Sequence, residues 1–209
     1  MLLIKKRWHM MGVILADTAK GFIESDQEVA EAIDFISYYA QHLPVLMAHP
    51  DVRLTARGPS LVVTPWNFSC SIPTGGLIGA LLTGNTVIFK PALESVRVGW
   101  ELIQLFWEAG FPKDVVQFLV CEDEPYGSEL IQDERLAQVL LTGSTQTAHY
   151  FYQKRPNLQL HAETGGKNTI IVTEMADYDQ AIQSIVQSAF GYSGQKCSAA
   201  SLVICEKSV

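Results

Sequence analysis

The feature that most constrains the fold is a regular alternation of short apolar runs and helical patterns over residues 53–162. The apolar runs have the length of buried strands and lie at Arg57–Thr64 (a turn and then a strand), Thr86–Lys90, Val115–Val120, Gln138–Thr142 and Leu158–Ala162. Helical patterns separate them at Gly75–Leu82, Glu94–Ala109, Gly127–Gln132 and Thr147–Lys154. This alternation predicts the α/β class, with a parallel sheet that carries helices on both faces.

Helical spacing of apolar residues also precedes and follows this region. It predicts two N-terminal helices, at Arg7–Ile23 and Gln27–Leu43, with Ser25 as the cap of the second. Towards the C-terminus it predicts a helix at Asp179–Phe190, and an apolar run predicts a strand at Ser201–Cys205. These flanking elements are expected to pack and not to carry chemistry.

Composition narrows the classes of function. The 209 residues are 48% hydrophobic and 18% charged, as in a soluble globular protein, and the net charge is −7. Because an acidic chain without a basic stripe repels phosphate, we expect no nucleic-acid partner. No apolar run reaches the length of a membrane span, so we expect no membrane partner. The basic residues of Lys5–Arg7 follow the first apolar run, the reverse of a secretory signal, which predicts a cytoplasmic location.

The cysteines argue against a metal site and single out one nucleophile. No Cys-x-x-Cys pair is present and the histidines do not cluster with the cysteines, so neither a metal centre nor a disulfide scaffold is expected. Cys70, Cys121 and Cys205 are interpreted as small buried apolar residues. Cys197 alone lies among small and polar residues, where a thiolate could react.

Polar residues follow several of the predicted strands. Asn67, Lys90, Ser144 and Glu163 each lie at a predicted carboxyl end, the edge of a parallel sheet at which ligands bind. The shared position favours a binding crevice over four unrelated surface residues.

Each of these residues, taken alone, also has an ordinary explanation. Lys90 could bind a ribose hydroxyl or phosphate, or be a solvated lysine. Ser144, after Gly143, could meet a pyrophosphate or simply cap a helix. Asn67 could donate to an oxyanion or serve as a turn residue, and Glu163 could be a base for Cys197 or half of an ion pair.

The glycines do not supply a dinucleotide fingerprint. No Gly-x-Gly-x-x-Gly motif is present, and Gly75, Gly76 and Gly79 have a different spacing. Their expected role is close packing of a helix.

Six motifs, read in order, resemble those of the aldehyde dehydrogenase superfamily. They are Pro65-Trp-Asn-Phe68, Gly84-Asn-Thr-Val87, Lys90-Pro91, Thr142-Gly-Ser144, Glu163-Thr-Gly-Gly-Lys167 and Gly194-Gln-Lys-Cys197. The resemblance runs from about Arg53 to the end of the chain. Within the superfamily, Ser188–Ala199 is similar to the 1-pyrroline-5-carboxylate (L-glutamate γ-semialdehyde) dehydrogenases. Lys90–Ala92 and Val98–Leu102 resemble the forms fused to proline dehydrogenase.

The resemblance implies NAD- or NADP-dependent oxidation of a small-molecule aldehyde to a carboxylate, on a Rossmann-like cofactor domain. Cys197 is implied as the nucleophile that forms a thioester, Asn67 as an oxyanion donor, and Glu163 as the base that activates water. Ser198 is implied as a substrate contact. The implied cofactor-binding residues are Thr64, Pro65, Trp66, Lys90, Gly127, Gly143, Ser144, Thr164 and Gly165. NAD is favoured, although Leu93 stands where many relatives carry a ribose-binding Glu, which leaves NADP open.

The resemblance also implies three segments. Residues 1–52 form an N-terminal helical segment, 53–165 the NAD(P)-binding domain and 166–209 the start of a catalytic domain. Because the superfamily fold continues well beyond its nucleophile, the chain is expected to be a fragment, inactive alone, of a parent enzyme that forms a homo-oligomer. L-glutamate γ-semialdehyde is the expected substrate. The alternatives are another semialdehyde or general aldehyde dehydrogenase, and a dinucleotide-binding module without turnover.

Overall fold

The computed structural model describes residues 2–208, which begin with a group of helices. They are α1 (Leu2–Lys5), α2 (Arg7–Thr18) and α3 (Phe22–Met47). The predicted end of the first long helix, at Ile23, is wrong. The helix α2 ends at Thr18, because Ala19 adopts a left-handed conformation with φ 54°.

Ser25 is not the cap of α3, contrary to the prediction. The helix begins four residues earlier than Ser25 implied, with Gly21 as its N-cap. Glu24 Oε2 accepts the Gly21 N–H at 3.2 Å, and the buried Ser25 hydroxyl donates to the Gly21 carbonyl at 2.9 Å. Ser25 thus lies inside the first turn, and a glutamate satisfies the start of the helix.

A five-stranded parallel sheet forms the centre of the compact unit that ends at Glu163. Its strands are β1 (Ser60–Thr64), β2 (Val87–Pro91), β3 (Val116–Phe118), β4 (Gln138–Thr142) and β5 (Leu160–Glu163), and their order across the sheet is β3-β2-β1-β4-β5. The intervening helices are α4 (Ser71–Leu82), α5 (Val96–Glu108), α6 (Ser128–Gln132) and α7 (Thr145–Lys154). The predicted α/β class is confirmed. The strand order changes direction between β1 and β4, which is where such sheets bind ligands.

Side chains that alternate along the strands build two cores, one on each face of the sheet. Val62, Val87 and Phe89 join one core with residues of α2, α3, α4 and α5. Leu61 and Val139 point the other way and pack with residues of α6 and α7. Helices therefore cover both faces, as predicted.

The helix α4 begins four residues before the predicted Gly75. Pro73 lies in its first turn, where a missing backbone N–H costs no intrahelical hydrogen bond. A Cβ on Gly76 would lie 2.8 Å from Val62 Cγ1, so this helix packs closely against β1 through a glycine. Among residues 2–208, no helix is both long and apolar enough to cross a membrane.

A second compact unit begins at Thr164, directly after Glu163 ends the first. It contains β6 (Asn168–Val172), α8 (Tyr178–Phe190) and β7 (Ala200–Cys205), and the two strands pair in parallel. The strand β6 was not predicted. The division of the chain into a cofactor domain and the start of a catalytic domain stays a prediction.

Candidate cofactor and catalytic site

The carboxyl edge of the sheet gathers several of the predicted residues. Thr64 at the end of β1 pairs in register with Pro91, the neighbour of Lys90. At the end of β4, Thr142 pairs with Glu163, and the next residue, Gly143, donates its N–H to the Glu163 carbonyl at 3.0 Å. Backbone pairing therefore fixes these residues at one edge of the sheet, on both sides of the point where the strand order reverses.

A cavity of about 280 Å³ opens at this edge, on the face of the sheet that α6 and α7 cover. Its apolar lining comes from Leu61, Val63, Leu130, Ile131 and Phe151. Polar groups line it as well: Lys90, Asp123, Glu124, Gln146, Thr147 and Tyr150. Apolar walls combined with polar groups suit a flat heterocycle joined to a sugar that carries hydroxyl groups, such as the adenosine of a dinucleotide.

Lys90 and Gly127, both predicted from the sequence, lie together at this cavity. Lys90 Nζ is 3.0 Å from Asp123 Oδ1; the lysine side chain is only 10% exposed, whereas that of Asp123 is 88% exposed. A Cβ on Gly127 would lie 3.3 Å from the Glu122 carbonyl oxygen and 3.9 Å from Lys90 Cε. The glycine keeps open the space beside the lysine stem.

Asp123 and its neighbours were missed by the sequence reasoning. The Tyr150 hydroxyl donates to the Glu124 carboxylate, and Lys154 Nζ lies 3.0 Å from Glu124 Oε1. The hydrogen bond from Tyr150, and then that from Lys154, lower the pKa of Glu124. These contacts tie α7 to the turn before α6. The only signal was the run of polar and turn residues 123–126 ahead of the helix predicted to begin at Gly127.

Ser144 has the capping role that the sequence left open. Its Oγ accepts the Thr147 N–H at 3.0 Å, so it is the N-cap of α7. Thr147 itself lines the cavity. Contact of Ser144 with a pyrophosphate stays a prediction.

The turn after β1 carries Pro65, Trp66 and Asn67, all of them half-buried. Thr64, just before it, is 4% exposed, and its hydroxyl has no hydrogen-bond partner within residues 2–208. Buried hydroxyls are normally paired, so this group is suited to a polar ligand at the strand end. Cofactor contact with these residues stays a prediction.

Cys197 lies exposed in the second unit, just before β7. The Asn168 side-chain amide donates to the Cys197 carbonyl at 2.6 Å and to the Ala199 carbonyl at 3.2 Å. Asn168 therefore fastens the cysteine turn to the start of β6. The sequence reasoning gave Asn168 no role.

The segment before Cys197 is strained. Tyr192 and Ser193 have φ of 52° and 56°, a region that residues other than glycine rarely adopt, and Gly194 follows them with φ 73°. Strain of this kind often accumulates at functional sites. In the same unit Ser198 and Gly165 are exposed, and Thr164 is half-buried.

The other cysteines differ from one another. Cys70 is fully buried, and burial followed by the nearby Glu28 charge raises the pKa of its thiol, which excludes it as a thiolate nucleophile. Cys121 is half-buried. The expectation that Cys205 is buried is wrong: it lies in β7 but is exposed. Within residues 2–208, no group of three or more His, Cys, Asp and Glu side chains is placed to hold a metal ion.

Comparison with known proteins identifies a family and several relatives. The family model described as "Aldehyde dehydrogenase family" matches residues 1–209. A curated 1-pyrroline-5-carboxylate dehydrogenase from Oceanobacillus iheyensis is 34% identical over 226 residues, which is 99% of this chain and 44% of that protein. The chain thus spans less than half the length of this relative.

Two solved structures are similar across nearly the whole chain. Proline Utilization A from Corynebacterium freiburgense has a TM-score of 0.93 at 39% identity, over 97% of this chain and 21% of that one. A 1-pyrroline-5-carboxylate dehydrogenase from Thermus, with bound NAD, has a TM-score of 0.91 at 37% identity, over 99% of this chain and 44% of that one.

Proposed function

The chain belongs to the aldehyde dehydrogenase family, and we propose that the protein that contains it oxidises L-glutamate γ-semialdehyde to glutamate with NAD. The observation that carries the proposal is similarity to 1-pyrroline-5-carboxylate dehydrogenases along 99% of the chain. A cavity beside Lys90, at the switch point of a parallel sheet, supports the cofactor part.

The proposed chemistry assigns one role to each of three side chains. The Cys197 thiolate attacks the aldehyde carbon, and the new C–S bond leaves an alkoxide that the Asn67 amide stabilises. Loss of hydride from that carbon turns the adduct into a thioester. Glu163 then takes a proton from water, which attacks the thioester, breaks the C–S bond and releases the carboxylic acid. Ser198, beside the nucleophile, contacts the polar substrate.

The residues of the cavity fit a dinucleotide. When bound, the nicotinamide supplies the hydride acceptor. Lys90 and Gly127 hold the adenosine ribose, while Gly143 and Ser144 meet the pyrophosphate. Thr64, Pro65, Trp66, Thr164 and Gly165 line the path of the rest of the cofactor. The Asp123 and Glu124 carboxylates disfavour a further phosphate on the ribose, which supports NAD over NADP.

We assign the protein to the cytoplasm and expect a homo-oligomer. We expect the 209-residue chain by itself to bind dinucleotide weakly and not to turn over aldehyde. Exposed apolar side chains on α8 and β7, among them Phe190 at 71% and Leu202 at 49%, support the need for further packing.

Steady-state kinetics of the full-length protein test the proposal. We expect kcat/KM to be highest for L-glutamate γ-semialdehyde with NAD, and lower for succinate semialdehyde or with NADP. A higher kcat/KM for another aldehyde would move the assignment to a different branch of the family. NAD binding without oxidation of any aldehyde would favour the binding module without turnover.

A further inference from the structure

Two buried ionisable side chains of the first unit do not line the cavity beside Lys90. Lys20, between α2 and α3, is 2% exposed, and Glu28, on α3, is 1% exposed. Lys20 Nζ donates to Glu28 Oε2. Burial raises the pKa of the Glu28 carboxyl, and the Lys20 charge opposes that rise.

Both members of this pair also contact the turn that carries Asn67. The other carboxylate oxygen, Glu28 Oε1, accepts the Cys70 backbone N–H at 2.6 Å. The Lys20 ammonium nitrogen lies 3.8 Å from the centre of the Phe68 ring. The pair therefore holds the first and the third residue after Asn67, one through a cation–π contact and one through a charge-assisted hydrogen bond.

The contact at Cys70 also lies at the start of α4. Cys70 is the N-cap position of that helix, and its own side chain makes no capping bond. A carboxylate supplied from α3 instead accepts the N–H of the N-cap residue itself and lies near the positive end of the helix dipole. The segment that follows Asn67 is therefore held by α3 as well as by α4, the helix into which it leads.

We propose that Lys20 and Glu28 are positioning residues for Asn67, and that they hold its amide in the orientation needed to stabilise an oxyanion. This inference rests on the proposed function, which assigns to Asn67 the stabilisation of the oxyanion. Buried ion pairs often add no more stability than apolar residues of the same volume, whereas their directed hydrogen bonds fix geometry. Here the fixed geometry is that of the segment 68–70.

Two double variants of the full-length enzyme separate positioning from folding. K20M/E28L removes both charges and the acceptor for the Cys70 N–H, whereas K20M/E28Q removes both charges and keeps an amide oxygen as acceptor. We expect K20M/E28L to lower kcat by about 10- to 100-fold, since small misplacements of a reacting group have effects of that order. K20M/E28Q should recover most of this loss. The Kd for NAD, measured by titration, should stay within about twofold of the parent's value. The substitutions are expected to slow the chemical step and to leave cofactor binding unchanged.

Adding N67A to both double variants distinguishes positioning of Asn67 from a general structural effect. If the pair acts through Asn67, the difference between the two double variants disappears when N67A is added, because the group being positioned is gone. A purely structural effect would lower kcat equally in both backgrounds. D26N is the matched control: it breaks the 2.6 Å ion pair from Arg7, which also joins α2 to α3, and should leave kcat unchanged. Should K20M/E28L not fold, E28D replaces it, since a carboxylate one methylene shorter cannot reach both Lys20 and Cys70.

Equal kcat in K20M/E28L and K20M/E28Q would overturn the inference, as would a loss that persists undiminished with N67A. A large loss in N67A with no loss in K20M/E28L overturns the inference alone and leaves the proposed function intact. No loss of kcat in N67A removes the oxyanion role itself, and the inference falls with it.

Discussion

Lys90 reaches the cavity with its charge already paired, because Asp123 Oδ1 lies 3.0 Å from its ammonium nitrogen. A paired lysine is a weaker attractant for a phosphate than a free one, and the Asp123 carboxylate adds repulsion. The same pairing still allows the lysine to donate a further hydrogen bond to a ribose hydroxyl. If the proposed site binds a dinucleotide, we expect the preference between NAD and NADP to depend on the lysine and the aspartate together.

Neutralising Asp123 should therefore weaken discrimination against NADP. Because Asp123 is largely exposed, the effect is small: D123N should raise the affinity for NADP by about two- to fivefold, the range of an exposed ion pair. Titration of the variant with NAD and NADP measures the change. E122Q is the control, since Glu122 is an exposed neighbour that does not line the cavity. An unchanged ratio of affinities in D123N would remove Asp123 from the specificity argument.

At the scale of single elements, α4 matters most, because it directly follows the Asn67 turn and packs on the central strand. Gly76 makes that packing possible: a Cβ there would meet Val62 Cγ1 at 2.8 Å. Val62 is buried in the strand interior, so the helix would have to move outwards.

Substitution of Gly76 by alanine should lower the free energy of unfolding by about 1–3 kcal/mol, the usual cost of overpacking a core. Urea unfolding of the chain measures it. Gly12, on α2, is the matched control because a Cβ there meets no atom within 4 Å. G12A should raise stability by up to about 1 kcal/mol through helix propensity. A G76A variant as stable as the parent would show that α4 can shift without cost.

How far an element could be predicted depended on whether its own residues decide its structure. The strand at Gln138–Thr142 was predicted with the bounds that the structure has, because a buried apolar run sits between clear turn signals. The strand β6 was missed although Thr169–Val172 is rich in β-branched residues, because a Gly-Gly-Lys turn and an exposed face obscure it. Ser25 was assigned as a cap on residue type alone, while Glu24 decided where the helix starts.

The site was predictable only in part for the same physical reason. The contact of Lys90 and Gly127 with a cofactor stays a prediction. Both residues could be named from the resemblance, Lys90 through the Lys90-Pro91 motif, and both line one cavity. Asp123, Tyr150 and Glu28 could not, because their roles depend on contacts between distant segments. The separation of Glu28 from Cys70 along the chain leaves no local pattern that links them.

At the scale of the whole molecule, the chain consists of two compact units, one that ends at Glu163 and one that begins at Thr164. The first holds the cavity beside Lys90, and the second holds Cys197 in a turn fastened by Asn168. The proposed reaction requires the base at the end of the first unit and the nucleophile of the second to act on one substrate. In that reaction Cys197 is the nucleophile that forms the thioester, and Glu163 is the base that activates the water.

Trapping the thioester tests the two roles separately. The E163Q variant of the full-length protein is mixed with NAD and L-glutamate γ-semialdehyde, NADH is followed by absorbance, and the acid-quenched protein is analysed by peptide mass spectrometry. With the nucleophile intact and the base removed, we predict a burst of about one NADH per site, an acyl group on Cys197, and turnover at least about 100-fold slower than in the parent. C197A should give neither burst nor adduct. Unaltered steady turnover in E163Q would contradict the role of Glu163 as the base. An acyl group on a cysteine other than Cys197 would contradict the role of Cys197 as the nucleophile.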